Sequence, residues 1–286
     1  MFKRKIKAAK KDFTPDMLPS SRKEVFFDII KTRFTDILKL GGFILLFCLP
    51  ILAVEFFSQM IATDYYRQFE SGKITKDVVL GLISSLSNFT NLALIPCFII
   101  LSIAFCGAFR LLKRLVWAES IDFAPDFALG IKSNFKHFAI VFLIIGILNF
   151  VVNYSLNILM LTNAQTAVKV ATALSLALAA ALSPTIIFMM SITTIYSLPF
   201  KNTIKNSFIL YMKTAPKTFL LMLLSFIPFL LLLIPNIILQ LSSILLLSLG
   251  CPFVLTIWIL YSCKIFDKFI NNEFYPDIVN KGFFPQ

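Results

Sequence analysis

The sequence predicts an all-α membrane protein with six transmembrane helices arranged as three hairpins, each preceded by an amphipathic helix on the cytoplasmic side. Hydrophobic residues make up 58% of the 286 residues and charged residues only 15%, which lies outside the range of soluble domains. The mean hydropathy of +0.85 agrees with this class. Apolar segments of roughly 20 residues, enough to cross a ~30 Å hydrocarbon core, alternate with charged segments along the chain.

The N-terminal region is predicted to be a basic cytoplasmic tail over residues 1–20. No apolar signal-peptide core follows its charges, so we expect no secretory signal. Its lysines are expected to contact anionic lipid headgroups, at on the order of 1 kcal/mol each. Ser21 and Glu24 have the spacing of a capping box, which predicts an amphipathic helix in the inner interface. The first span then covers residues 41–62.

The remaining spans alternate with charged or amphipathic segments. We predict a single membrane domain over residues 21–264, followed by a cytoplasmic tail over 265–286. Residues 78–86 are predicted to form an outer interfacial helix, with an extension of the second span as the alternative, and residues 122–137 and 201–217 are predicted to form two further inner amphipathic helices. The predicted spans two to six are residues 92–112, 138–160, 168–196, 219–238 and 242–263.

The distribution of positive charge predicts the topology. The net charge is +12, and 23 of the 27 lysines and arginines fall on one side of the predicted spans. By the positive-inside rule, both termini are cytoplasmic in a multipass protein, which we expect in a bacterial plasma membrane. The basic residues flank the spans and form no separate domain with interleaved aromatics, so nucleic acid is not an expected partner.

Three segments share a pattern of proline, apolar stretch and basic exit. Pro96, Pro184 and Pro252 precede the next basic residue by 14, 17 and 12 positions, which places them roughly 18 to 25 Å above the inner boundary. This predicts three parallel repeats, over residues 21–118, 119–199 and 200–270. The alternative is that helices rich in Phe, Ile and Leu resemble one another by composition. The prolines are expected to kink their helices, or to free carbonyl groups that line a cavity.

Polar residues inside the spans are candidates for a functional site. Glu55 is an acidic residue well inside the first span, where an ionisable group indicates an ion or substrate path, or an interhelical partner. Its alternative role is to reach the nearby outer interface. Asn149, Asn153 and Asn157 make the outer end of the third span polar, which predicts either a hydrated vestibule or hydrogen bonds between helices.

Sequence signatures of enzymes are absent. The chain has no GxxxxGK[ST], HExxH or GxSxG motif, and it contains a single histidine. The five cysteines lie in apolar runs without the spacing of metal ligands, so we expect them to pack in the core. We therefore predict no enzymatic activity, no cofactor and no metal site.

The second span ends in a basic stretch that faces the cytoplasm in the predicted topology. Its charges are better explained by topology than by a ligand. The acidic residues that follow, Glu119, Asp122 and Asp126, are expected to anchor the next helix to these basic residues. The basic exit comprises Arg110, Lys113 and Arg114, with Trp117 at the interface.

Residues 104–135, AFCGAFRLLKRLVWAESIDFAPDFALGIKSNF, combine a small-residue helix, a basic exit, an acidic turn and an amphipathic helix with aromatics and lysines. This run resembles the core of the YesL-like family of bacterial membrane proteins, whose function is uncharacterised. The resemblance implies a Firmicute-type bacterium and an association with carbohydrate-uptake genes, but no catalytic residues. The chain departs from the family in its extended outer loop, residues 61–91, and its lysine-rich N-terminus. The matching positions are Arg110, Lys113, Arg114, Glu119, Asp126, Phe127, Lys132 and Phe135.

The sequence leaves two main functional hypotheses. The first is a non-enzymatic accessory or scaffold associated with carbohydrate transport, which contacts lipid and either an ABC-type permease or further copies of itself. The second is a small-solute transporter or channel with a path lined by Glu55, the polar third span and the proline-containing helices. A membrane-embedded lipid enzyme is the least favoured alternative.

Overall fold

The computed structural model of the protein describes residues 19–161, 165–227, 234 and 237–283. Of these, 89% are helical, and the only β-type pairing in the described ranges is one bridge between Lys281 and Phe283. The six long helices are α1 (Arg22–Glu70), α2 (Lys76–Val116), α3 (Phe123–Leu161), α4 (Thr166–Ile195), α5 (Phe200–Ser225) and α6 (Ile237–Phe266). A π-helical turn (Asp267–Asn271) and two short turns (Asn272–Phe274, Pro276–Ile278) follow α6.

Each of the six helical regions is long and apolar enough to cross a membrane, the last of them over Leu249–Phe274. The chain is therefore an all-α, multipass membrane protein, as the composition predicts. The hairpin arrangement and the cytoplasmic amphipathic helices stay predictions. The N-terminal tail and the connection between α5 and α6 lie largely outside the described residues.

Several helix breaks expected from the sequence are wrong. In α1 two helical parts meet at a kink at Arg33 (φ −125°, ψ 23°), so the chain does break before the first span, although at Arg33 and not at the predicted boundary before residue 41. Residues 78–86 are not a separate interfacial helix but the beginning of α2, and residues 122–137 continue directly into the third span as α3. The reason is that a helix satisfies its own backbone hydrogen bonds, so a change of the outer environment from water to lipid does not interrupt it.

The three prolines of the repeat pattern lie inside α2, α4 and α6, and each helix continues through its proline. Pro184 and Pro252 are buried, whereas Pro96 is exposed on the surface of α2. The expected kinks stay predictions.

The helix at the centre of the bundle is α2, which contacts α1, α3, α4 and α6. Its most extensive contact is with α3, and two glycines permit the close approach. A Cβ atom at Gly130 would lie 2.7 Å from the carbonyl oxygen of Cys106, and one at Gly107 would overlap the ring of Phe127. The predicted repeat boundary at residues 118 and 119 thus separates two helices that share the main interface. If the repeats exist, they are not independent packing units.

The core of the bundle is apolar and contains the cysteines. Cys106 and Cys263 belong to the buried cluster around Phe109 and Phe138, and Cys48 and Cys251 pack against it. All five cysteines are free thiols. The predicted packing role is confirmed for these four positions.

The C-terminal segment packs against the bundle and is not a free tail over its described part. Lys281 Nζ lies 2.8 Å from Glu119 Oε1 and 4.2 Å from the centre of the Trp117 ring. Arg22, at the start of α1, pairs with Asp267 at 2.6 Å and donates to the backbone carbonyl of Lys281. The start of α1 therefore contacts the C-terminal segment at one end of the bundle.

Candidate functional site

A polar cavity of about 510 Å³ opens between α1, α2 and α3. It lies far from the chain ends, because Glu55 is 33 residues, or about 50 Å, along α1 from Arg22. Three of the predicted site residues, Glu55, Asn149 and Asn153, line it together. The remaining lining residues are Ser58, Gln59, Ala62, Tyr66, Ile83, Leu86, Ser87, Thr90 and Asn91.

Hydrogen bonds between polar side chains connect the three helices that form the cavity. Thr90 Oγ1 donates to Ser58 Oγ at 2.8 Å, joining α2 to α1. Asn149 Nδ2 donates to Asn91 Oδ1 at 2.9 Å, joining α3 to α2. Polar groups within a membrane bundle are stabilised by such bonds, so this network holds the walls of the cavity in place.

Successive hydrogen bonds connect the asparagine side chains, from Asn153 through Asn149 to Asn91. Asn153 Nδ2 donates to the carbonyl oxygen of Asn149 at 2.9 Å and to its Oδ1 at 3.1 Å. Asn91 Nδ2 in turn donates to the backbone carbonyl of Ser87 at 2.8 Å. The amide donors are therefore used within the wall, while Asn153 Oδ1 receives no hydrogen bond from the described residues. The cavity surface therefore offers acceptors such as Asn153 Oδ1 together with the donor groups of Gln59 and Tyr66.

Glu55 is exposed and lines this cavity. Within the described part of the chain, it forms no hydrogen bond or ion pair, and no basic residue lines the cavity. The carboxyl group therefore adds two oxygen atoms to the cavity surface, which accept hydrogen bonds when the group is ionised. This placement agrees with the hypothesis of a binding site better than with that of an interhelical partner.

Asn157 does not line the cavity but fastens α3 to the first part of α2. Its Nδ2 donates to Ser87 Oγ at 3.0 Å and to Asn88 Oδ1 at 2.9 Å. Two alternatives were predicted for the asparagines, a hydrated vestibule or hydrogen bonds between helices. Asn157 agrees with the second. Asn149 and Asn153 do this and also border the cavity.

An apolar layer closes the cavity toward the middle of the bundle. Leu94, Cys97 and Leu101 of α2 are buried there, next to Val141 and Phe142 of α3. A Cβ atom at Gly146 would lie 3.2 Å from the Cα of Ile95, so the two helices are in direct contact below Asn149. None of the residues of this apolar layer lines the cavity. None of the three prolines lines it.

The basic exit of α2 is a structural ion-pair cluster at the other end of the bundle. Asp126 is buried, accepts from Arg114 Nη1, and lies 4.0 Å from Arg110 Nε. Arg114 Nε also lies 3.3 Å from Glu119 Oε2. The predicted anchoring to these arginines is therefore confirmed for Asp126 and Glu119, whereas Asp122 forms no ion pair within the described residues. Lys113 lies over the ring of Trp117, with Nζ 4.1 Å from the ring centre.

Sequence reasoning missed nine of the twelve cavity residues, although the sequence contains a signal for them. Glu55, Ser58, Gln59, Ala62 and Tyr66 follow one another at spacings of three or four, which is one face of a helix. The same spacing joins Ser87, Thr90 and Asn91 on α2. A search for polar helical faces, in place of single ionisable residues, would have found both walls.

Comparison with the models of known protein families, with curated proteins and with solved structures gave no match to this chain.

Proposed function

We propose that this chain is a non-enzymatic protein of the bacterial plasma membrane with both termini in the cytoplasm, which binds a small polyhydroxylated solute from outside. In this proposal it acts as an accessory to a carbohydrate-transport system and presents the solute to a permease. The observation that carries the proposal is the convergence of Glu55, Asn149 and Asn153 on one cavity in an otherwise apolar bundle.

The chemistry of the cavity supports a neutral solute that is rich in hydroxyl groups. Sugar hydroxyls donate and accept hydrogen bonds: the side-chain oxygens of Glu55 and Asn153 would accept them, and Gln59 could donate. Tyr66 adds an aromatic ring that can cover the apolar face of a sugar ring. The volume of about 510 Å³ lies within the range of roughly 300 to 1,000 Å³ that is usual for small-molecule sites.

The position of the cavity supports access from outside. The positive-inside rule places the basic end of the bundle, where both termini lie, in the cytoplasm. The cavity, which lies toward the opposite end, then faces the outside. An accessory role requires no path through the protein, and the apolar layer below the cavity is compatible with this. The YesL-like resemblance, which implies an association with carbohydrate uptake, stays a prediction.

The test is calorimetric titration of a panel of mono- and disaccharides into the purified protein in nanodiscs. We expect saturable binding that is about 10-fold weaker in Glu55→Gln, since a hydrogen bond to a charged group contributes about 1.5 to 3 kcal/mol. Glu70→Gln is the matched control, because Glu70 lies on the same helix outside the cavity and should leave binding unchanged. Absence of saccharide binding, or binding of amines and metal cations only, would contradict the proposed solute class.

A second candidate function is transport by this chain itself, which is favoured by the ionisable group inside a span. Transport would require the apolar layer between α2 and α3 to open. Purified protein in liposomes distinguishes the two functions: saccharide flux that is lost in Glu55→Gln supports a transporter. Flux absent from the isolated protein, together with an ABC-type permease that co-purifies from native membranes, supports the accessory role. Co-purification of differently tagged copies would instead indicate self-association.

A further inference from the structure

A second cavity of about 510 Å³ lies at the opposite end of the bundle, where the two ends of the described chain meet. The first turn of α1 forms one wall, and the end of α6 with the π-helical turn forms another. Four basic side chains line this cavity, Arg22, Lys23, Lys264 and Lys268, together with a single carboxylate, Asp267. The net charge of its lining is therefore +3.

The carboxylate of Asp267 is already engaged by other groups. Arg22 Nη2 lies 2.6 Å from its Oδ2, and Asn271 Nδ2 donates to its Oδ1 at 2.7 Å. Within the described residues, no carboxylate lies within ion-pair distance of Lys23, Lys264 or Lys268. Lys23, Lys264 and Lys268 are exposed, so water and salt screen their mutual repulsion, and an anion bound between them would reduce it further.

Among the other lining residues, Ser21 offers a hydroxyl donor suited to a phosphate group, whereas the Ser20 hydroxyl already donates to Glu24 Oε1 at 3.1 Å. Ser20 and Ser21 line it, and Ser21 caps α1 by accepting from the backbone N–H of Glu24 at 3.3 Å. The hydroxyl proton of Ser21 is left to donate to a ligand. The N-terminal end of a helix also carries a partial positive charge that favours anions. Glu24 does not line the cavity, and its carboxylate accepts from the backbone N–H of Ser20 at 2.8 Å.

The basic exit of α2 shows why this cavity differs from an ordinary cluster of interfacial cations. There, Arg114 is matched by Asp126 and Glu119, so the positive charge is neutralised within the protein. The lysines of the second cavity have no such partners. Lys264 is the first charged residue after the apolar run of the helical region Leu249–Phe274, and in the predicted topology such a position lies near the lipid phosphates.

We propose that this cavity binds the phosphate group of an anionic phospholipid from the leaflet at the basic end of the protein. Arg22, Lys23, Lys264 and Lys268 compensate the phosphate charge, and Ser21 donates a hydrogen bond to a phosphate oxygen. A bound lipid would thereby connect the start of α1 to the end of α6. Free inorganic phosphate presents the same chemistry, and the experiment separates the two sources.

The test is native mass spectrometry of the purified full chain in neutral detergent, titrated with phosphatidylglycerol, phosphatidylcholine or inorganic phosphate. We expect one phosphatidylglycerol to bind preferentially over phosphatidylcholine. Replacement of Lys23, Lys264 and Lys268 by Gln should weaken this binding at least 10-fold. The matched control replaces Lys132, Lys136 and Lys201 by Gln, which removes the same charge from exposed positions outside the cavity.

Equal loss in the two triple variants would overturn the proposal, since it would show general charge attraction. Binding of inorganic phosphate without phosphatidylglycerol would overturn the lipid assignment and leave a phosphate site. If the cavity variant elutes as aggregate, the single substitution Lys264→Glu serves in its place, with Lys201→Glu as its control. Unchanged phosphatidylglycerol binding by Lys264→Glu would then reject the site.

Discussion

Arg114 of α2 and Asp126 of α3 form an ion pair across the main helix interface, and the side chain of Asp126 is only 3% exposed. The same carboxylate accepts from the backbone N–H of Asp122 at 2.9 Å, which satisfies a donor at the start of α3. The buried side chain of Asp126 therefore stabilises the N-terminal end of α3 and also connects α3 to α2. The cationic exit of α2 thus has a structural role in addition to the topological one.

Substitution of Asp126 by Asn should destabilise the bundle. Removal of one partner from a buried pair leaves Arg114 and Arg110 without their common counter-charge. We expect a loss of about 3 kcal/mol, the low end for broken buried pairs, because the Arg114 side chain keeps 26% of its surface exposed. Thermal unfolding in detergent, followed by size-exclusion chromatography, measures this loss.

Asp122→Asn provides the matched control for that substitution. Asp122 is an exposed acid four residues earlier, and the described residues include no ion-pair partner for it. Its substitution should change the unfolding temperature little. Equal unfolding temperatures for the two variants would show that the buried pair does not stabilise the α2–α3 interface.

The glycine at the α2–α3 crossing is expected to be sensitive to a single added methyl group. In Gly130→Ala, the new Cβ would lie 2.7 Å from the Cys106 carbonyl oxygen and 3.0 Å from the Cα of Gly107, so the helix backbones must separate. We expect a loss of about 1 to 3 kcal/mol, typical of overpacking. In contrast, Gly42→Ala on α1 has no heavy atom within 4 Å of its Cβ and should be neutral or stabilising by up to about 1 kcal/mol. A stable Gly130→Ala protein would contradict the close crossing.

Tyr196, the first residue beyond the C-terminal end of α4, donates a hydrogen bond to Asn271 Oδ1 at 2.5 Å, and both residues are buried. Tyr196→Phe removes the donor and leaves a buried acceptor unsatisfied, at a cost of about 1 to 3 kcal/mol. Burial raises the pKa of Tyr196, so the folded protein holds the phenol proton more tightly than the unfolded chain does. The contribution to stability is therefore fully present below the ordinary tyrosine pKa of about 10 and decreases as the pH rises above it.

The measurement for Tyr196→Phe is the difference in unfolding temperature from the wild type at pH 7 and pH 9. We expect the same difference at both values, because both lie below the ordinary pKa. Tyr154→Phe is the control, since Tyr154 is exposed and stacks on Phe150 through its ring alone. A difference that disappears by pH 9 would show that the phenol ionises there and contradict its buried environment.

The sequence predicted the membrane class and the approximate spans, because apolar runs of sufficient length are visible in the chain itself. It also predicted three residues of the cavity, because polar residues inside an apolar span are costly and therefore conspicuous. The predicted breaks within α2 and α3 were wrong, since these helices continue through a change of environment, whereas α1 does have a kink, at Arg33. The pairing of Arg22 with Asp267 joins residues 245 positions apart. No local pattern contains that information, so the packed C-terminal segment could not be predicted.

The C-terminal segment offers the last prediction, through Gly282. This residue has a φ of +93°, which side chains rarely adopt, and an added Cβ would overlap the carbonyl oxygen of Val116. Gly282→Ala should therefore release the segment from the end of α2 and break the contact of Lys281 with Glu119. Hydrogen exchange of the amides in residues 276–283 measures this release, and we expect it to accelerate about 10-fold or more.

Gly72→Ala separates backbone strain from steric overlap in this experiment. Gly72 also has a positive φ, +73°, but no heavy atom lies within 4 Å of its added Cβ. That variant should lose on the order of 1 kcal/mol locally from strain and leave exchange in residues 276–283 unchanged. If Gly282→Ala exchanges no faster than the wild type, the segment does not depend on its contact with Val116. The alternative attachment would then be the Arg22–Asp267 pair, because it fastens the start of α1 to the residues immediately after α6.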